Sequence, residues 1–111
     1  MTYETPTAPD TLGEHGARFW QRVADAFVLE PWHLDVLEQA SLALDRAESC
    51  RRQIEADGLL TEDRFEQAKA HPLIASERDA RSAFRMLYRE LNLDEDEKKP
   101  PGRPPRDWSI P

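Results

Sequence analysis

The side chains best placed to do chemistry in this sequence are arginines. Arg78, Arg81, Arg85 and Arg89 recur at three- and four-residue spacing. At 3.6 residues per turn they fall within about 80° of each other on one helical face. Guanidinium groups so arranged suit phosphates or carboxylates, because each presents a planar fork of donors. The site is either DNA-facing or partner-facing, and the bland alternative is a solvated face with Glu77 and Asp79 neutralising part of it. A second basic group, Lys98, Lys99, Arg103 and Arg106, lies among Pro100, Pro101, Pro104 and Pro105. Gly102-Arg103-Pro104 is similar to the centre of an AT-hook, whose arginine enters a narrow minor groove, although no arginine precedes the glycine. Alternatively, this proline-rich arm docks on a protein through Trp108 and Ile110.

Nucleophilic and metal chemistry find little support. His15, His33 and His71 fall in different predicted elements, without metal-ligand spacing. His33 and Asp35 read as first-turn residues. Cys50 is the only cysteine, so neither an internal disulfide nor a cysteine zinc site is available. Its neighbours Arg51 and Arg52 favour a thiolate, but its place on a helical stripe makes it a packing residue. There is no phosphate-binding glycine loop and no nucleophile motif. A non-enzymatic protein without cofactor or metal is expected.

The elements that must carry the arginines are helices. Leu12, Gly16, Phe19, Trp20, Val23 and Phe27 share one face, and Thr11 with Glu14 has capping-box spacing, which predicts a helix over about 11–27. Gly13 and Gly16 imply either close backbone packing or a frayed first turn. Pro31 suits a first helical position and Gly58 a helix stop. The second helix therefore runs about 31–57, roughly 40 Å long. Its stripe is Leu37, Ala40, Leu44, Ala47 and Ile54, widened by Val36, Ala43 and Cys50. Leu34 and Leu42 lie off that stripe and are expected at subunit contacts. A third helix, about 72–91, places Ala80, Ala83, Phe84, Leu87 and Leu91 opposite the arginines. Between helices 2 and 3, Leu59-Leu60-Thr61 and Arg64-Phe65-Glu66 form either a small hairpin around Glu62-Asp63 or one helical turn. The fold class is all-α, with three main helices and a short loop or small hairpin.

Around this core, residues 1–10 read as a flexible N-terminal arm and residues 11–93 as one helical oligomerisation domain. Residues 94–111 read as an acidic, then basic and proline-rich tail. The run Asp94-Glu95-Asp96-Glu97 opens that tail. The 111 residues suit one small domain, for which oligomerisation is a common source of stability. The net charge of −7 argues against a nonspecific DNA coat and leaves a local basic face as the route to DNA. No signal peptide is evident, and no apolar run reaches the ~20 residues of a membrane span. A cytoplasmic location is expected.

The order and wording of these elements resemble the phage terminase small-subunit family, from about Leu12 to Leu93. The resemblance rests on Leu12-Gly13 with Gly16 and Trp20, and on Leu37 and Asp45-Arg46 in the long second helix. It continues in Asp57-Gly58, then His71-Pro72-Leu73 with Arg81, Leu87 and Leu91-Asn92-Leu93. The stretch Glu62 to Gln67 departs from the family's glycine-containing hairpin. The resemblance implies a ring of roughly 8–11 identical subunits. It also implies engagement of double-stranded viral DNA and regulation of the large terminase subunit, which carries the ATPase and nuclease. The competing class is a small helical DNA-binding regulator or protein adaptor. A helix-turn-helix reader fits poorly, because Glu30, Asp35 and Glu38 crowd the start of helix 2.

Overall fold

The fold is given by a computed structural model, which describes residues 5–93. It comprises α1 (Glu14–Ala26), α2 (Pro31–Asp57), β1 (Leu60–Glu62), β2 (Ala68–Ala70) and α3 (Leu73–Leu91). Helix α2 is the hub. Helix α3 packs along it most extensively, and α1 also packs against it. The architecture is thus mostly helical, but not purely so, because a two-stranded antiparallel sheet joins α2 to α3.

Two faces of α2 are covered, which explains why so much of it is apolar. Leu37, Ala40, Ser41, Ala43, Ala47, Cys50 and Ile54 are all buried, and Leu37 lies in the cluster that also holds Trp20 of α1 and Leu91 of α3. Alanines at these positions let the helix backbones approach closely. The core cluster combines Trp20, Val23, Ala24, Leu29, Leu37 and Leu91. Full burial of Leu37 and Leu91 contributes roughly 2 kcal/mol each. Leu34, expected to lie off the core, is half-buried and packs against this cluster. Leu42 is half-buried as well.

Helix α1 begins at Glu14, three residues later than the capping-box spacing predicts. Thr11 does not cap it, and its hydroxyl instead donates to Glu38 Oε2 at 3.3 Å. The cap comes from another helix. Asp45 of α2 accepts the backbone N–H of Gly13 at 2.6 Å and of Gly16 at 2.7 Å. Gly13 is therefore the residue before the helix, and Gly16 marks the close approach. A Cβ on Gly16 would lie 2.6 Å from the Ser41 carbonyl oxygen. Residues 5–10 run beside α1, tied by Gln21, which accepts from the Ala8 N–H and donates to the Pro6 carbonyl, each at 3.0 Å.

The ends of α2 agree with the local signals. Pro31 is its first residue, and the Glu30 N–H donates to His33 Nδ1 at 2.9 Å within a capping box. Gly58 ends the helix with φ +89°, a conformation that residues with a Cβ rarely adopt. The hairpin turn lies further along than expected. Leu60 pairs with Ala70 and Glu62 with Ala68, so Arg64-Phe65-Glu66 is turn and not strand. Asp63 replaces the missing glycine signal, its Oδ1 accepting the N–H groups of Phe65 and Gln67 at 2.8 and 3.0 Å. Glu66 takes the positive φ, 63°.

Candidate interaction site

Helix α3 displays the four arginines in two unlike halves. Near the hairpin, Arg81 donates from Nε and Nη2 to Glu77 Oε2 at 3.1 and 2.9 Å. Arg78 stands 3.6 Å from the Asp79 carboxylate. One and two turns further on, Arg85 and Arg89 are exposed and form no ion pair among the described residues. These are the two whose charge is least compensated nearby.

Arg85 and Arg89 flank a shallow groove, lined also by Phe84, Tyr88, Asn92 and Leu93. Its aromatic wall is fixed from α1. Phe19 meets Phe84 edge to face at 5.0 Å between centroids and Tyr88 at 6.0 Å, and Phe84 and Tyr88 stack at 6.0 Å. Tyr88 is nevertheless half exposed. The groove therefore joins a rigid apolar wall to two guanidiniums, a combination suited to an anionic ligand with some apolar surface.

Several other charged groups are committed within the fold. Glu48 faces Arg51, Arg52 at 3.4 Å and His15 at 4.0 Å. The hydrogen bond from Arg51, with the neighbouring positive charges, lowers its pKa to about 2. Arg51 also pairs with Glu55, and these carboxylates hold its pKa above the ordinary arginine value. At the other end of α2, His71 is buried and its Nε2 bonds Asp57 Oδ2 at 2.9 Å. His71 Nδ1 accepts the Leu73 N–H at 3.1 Å, capping α3. The proton of the ring therefore sits on Nε2 and points at Asp57. Hydrogen bonds from Gln53 and then His71 lower the pKa of Asp57.

Cys50 is buried, as its place on the α2 stripe predicts. His33 sits in the first turn of α2 and stacks on Trp32 at 3.9 Å. Among the described residues no group of three or more His, Cys, Asp or Glu side chains is arranged to hold a metal ion. No described helix is long and apolar enough to cross a membrane. Lys98, Lys99, Arg103, Arg106, Trp108 and Ile110 lie outside the described residues. The hairpin presents Leu59, Leu60 and Phe65, each about two-thirds exposed. Sequence reasoning placed Asp45 midway along helix 2 and His71 at the opening of helix 3, but not the bonds each makes across elements, which periodicity along one helix cannot show.

A family model described as phage terminase, small subunit, matches residues 16–101, well over half of the chain. No curated protein and no solved structure matches.

Proposed function

This chain belongs to the phage terminase small-subunit family, and we propose that it engages viral DNA and regulates the large terminase subunit during genome packaging. The observation that carries the reading is the exposed pair Arg85 and Arg89 on a helix packed along α2 and met by Phe19 of α1. A basic face on a rigid element positions charge without first having to order a loop.

One copy offers few such contacts, and its net charge of −7 opposes DNA. A ring of copies would present the pair many times over, and linked weak contacts multiply into avidity when several engage together. Assembly would draw on Leu42 and on the edge of the core at Leu34, both half-buried in the single chain. Catalysis would rest with the large subunit, and this chain would supply binding and control. The tail residues Lys98, Lys99, Arg103 and Arg106 would add DNA contacts, with Trp108 and Ile110 docking on the large subunit. A purely adaptor role has its own support, because the aromatic wall of the groove suits a protein segment as well as a phosphate backbone.

The test is light scattering over a concentration series, followed by DNA binding at graded salt. A stable assembly of roughly 8–11 subunits, with affinity that falls steeply as salt rises, supports the reading. A monomer or dimer at every concentration removes the ring. An assembly that ignores DNA at low salt leaves the adaptor role.

A further inference from the structure

Arg85, Tyr88, Arg89 and Asn92 line up at the C-terminal end of α3, within about 100° of each other around the helix axis. All four are exposed, and all four line the groove. Tyr88 leaves about half of its surface open, yet its ring is held in place. It stacks on Phe84 at 6.0 Å and meets Phe19 of α1 at 6.0 Å. Arg85 and Arg89 stand on either side of it along the axis, about 6 Å apart. Neither forms an ion pair among the described residues. The Asn92 amide offers a donor and an acceptor side by side. The groove has a volume of about 390 Å³, at the small end of the range for small-ligand sites. That is room for one flat group and not for a second helix.

A DNA duplex offers phosphates to such a face, but its bases are stacked inside, so an exposed ring and an amide gain little from it. An unpaired nucleotide uses every part. Its phosphates meet the guanidiniums, its base lies on the aromatic ring, and its edge meets the amide. We infer that this groove is a site for an unpaired nucleotide, with Tyr88 as the stacking platform, Arg85 and Arg89 as the phosphate contacts and Asn92 at the base edge. The ring is already packed on Phe19 and Phe84, so little side-chain freedom is lost on binding. The groove therefore prefers a single strand, or the frayed end of a duplex, to paired DNA. This deepens the DNA reading above and rests on it for the identity of the anion.

The test is fluorescence anisotropy of short labelled oligonucleotides with the full chain at low salt. The probes are an oligothymidine strand, a strand of equal length and charge with abasic sugars, and a duplex closed by a loop at each end. The thymidine strand should bind roughly five-fold or more tighter than the abasic one, the usual effect of a base on an aromatic ring. That comparison uses the unaltered protein, so it does not depend on the folding of any variant. Tyr88→Phe should keep the ratio. Tyr88→Leu, which retains apolar bulk beside Phe19, should bring it close to one. R85Q/R89Q should weaken both strands alike. Equal affinity for the thymidine and abasic strands overturns the inference, and the DNA reading survives it when the closed duplex binds through Arg85 and Arg89. A ratio that persists in Tyr88→Leu also overturns it, since the base is then read elsewhere. No binding of any probe overturns both readings and leaves the groove to a protein segment. An RNA strand that shows the same dependence on its bases and on Tyr88 upholds the site and extends its ligand to any unpaired nucleotide.

Discussion

Asp45 caps a helix that is not its own: its carboxylate receives the backbone N–H of Gly16 at 2.7 Å, 29 residues away in the chain. The same carboxylate takes the Gly13 N–H at 2.6 Å. A helix start leaves its first N–H groups without intrahelical partners, and an anion there also meets the positive end of the helix dipole. Asp45 thus joins α1 to the middle of α2 at one point. The lack of a Cβ at Gly16 is what lets the two backbones come that close.

Asp45→Ala should therefore destabilise the protein by about 1–2 kcal/mol, the usual cost of a lost N-cap. Asp45→Asn should recover part of this, because one acceptor oxygen remains. Urea denaturation at a fixed protein concentration measures both. Gly16→Ala should cost about 1–3 kcal/mol by overpacking against Ser41, despite the better helix propensity of alanine. Gly13→Ala should be far milder. Its backbone is extended, and the atoms nearest the added Cβ belong to the Asp45 side chain, the first at 3.0 Å, with no backbone atom among the nearest. Equal costs at the two glycines would refute the close-approach account.

His71 closes the base of the hairpin in a comparable way. It links Asp57 at the end of α2 to the first turn of α3, and its own N–H donates to the Leu59 carbonyl at 2.9 Å. His71→Ala should cost about 1–2 kcal/mol through two lost hydrogen bonds and a small cavity. Amide exchange should quicken at Leu73 and across the hairpin, and not at Trp20 or Leu37. Uniform acceleration would mean that the hairpin opens only with the whole fold.

These two residues also mark where sequence reading stops. The bounds of α2 were legible because Pro31 and Gly58 act on the backbone next to them. The start of α1 was not, because its cap arrives from α2. Leu37, Ala47, Ile54, Ala80 and Leu91 were legible as core from spacing alone. The hairpin was left open against a helical turn, since its turn is shaped by the Asp63 side chain and by Glu66 at positive φ, neither of which is a glycine signal. The arginine face was visible as a stripe. Its division into paired and unpaired halves depends on side-chain geometry at Glu77 and Asp79, which spacing only hints at.

Acid should weaken the fold through Glu48. The pKa of Glu48 is lowered to about 2 in the folded protein, chiefly by the hydrogen bond from Arg51, against an ordinary value of 4.5. A carboxylate depressed on folding stabilises the native state at pH values above its unfolded pKa. That contribution fades as pH falls from about 4.5 toward 2. Asp57, also lowered, acts in the same direction below its ordinary value of 3.8. Melting temperature followed between pH 6 and pH 3 should fall, and Glu48→Gln should flatten the lower part of that curve. Because Glu48 and its partners are partly solvated, high salt should reduce the difference between wild type and variant. An identical pH curve for Glu48→Gln would show that this cluster does not contribute.

The two halves of the arginine face should separate in binding. In R85Q/R89Q, DNA affinity should fall and the slope of log affinity against log salt should flatten by about two, one per lost phosphate contact. In R78Q/R81Q the loss should be smaller, because Arg81 already spends its charge on Glu77 and Arg78 stands beside Asp79. Far-UV circular dichroism should be unchanged in R85Q/R89Q, since neither side chain supports the fold among the described residues. Equal losses for the two pairs would mean that Glu77 and Asp79 release their arginines on binding. A loss confined to R78Q/R81Q would move the contact surface to the hairpin end of α3, where Leu59, Leu60 and Phe65 stand exposed.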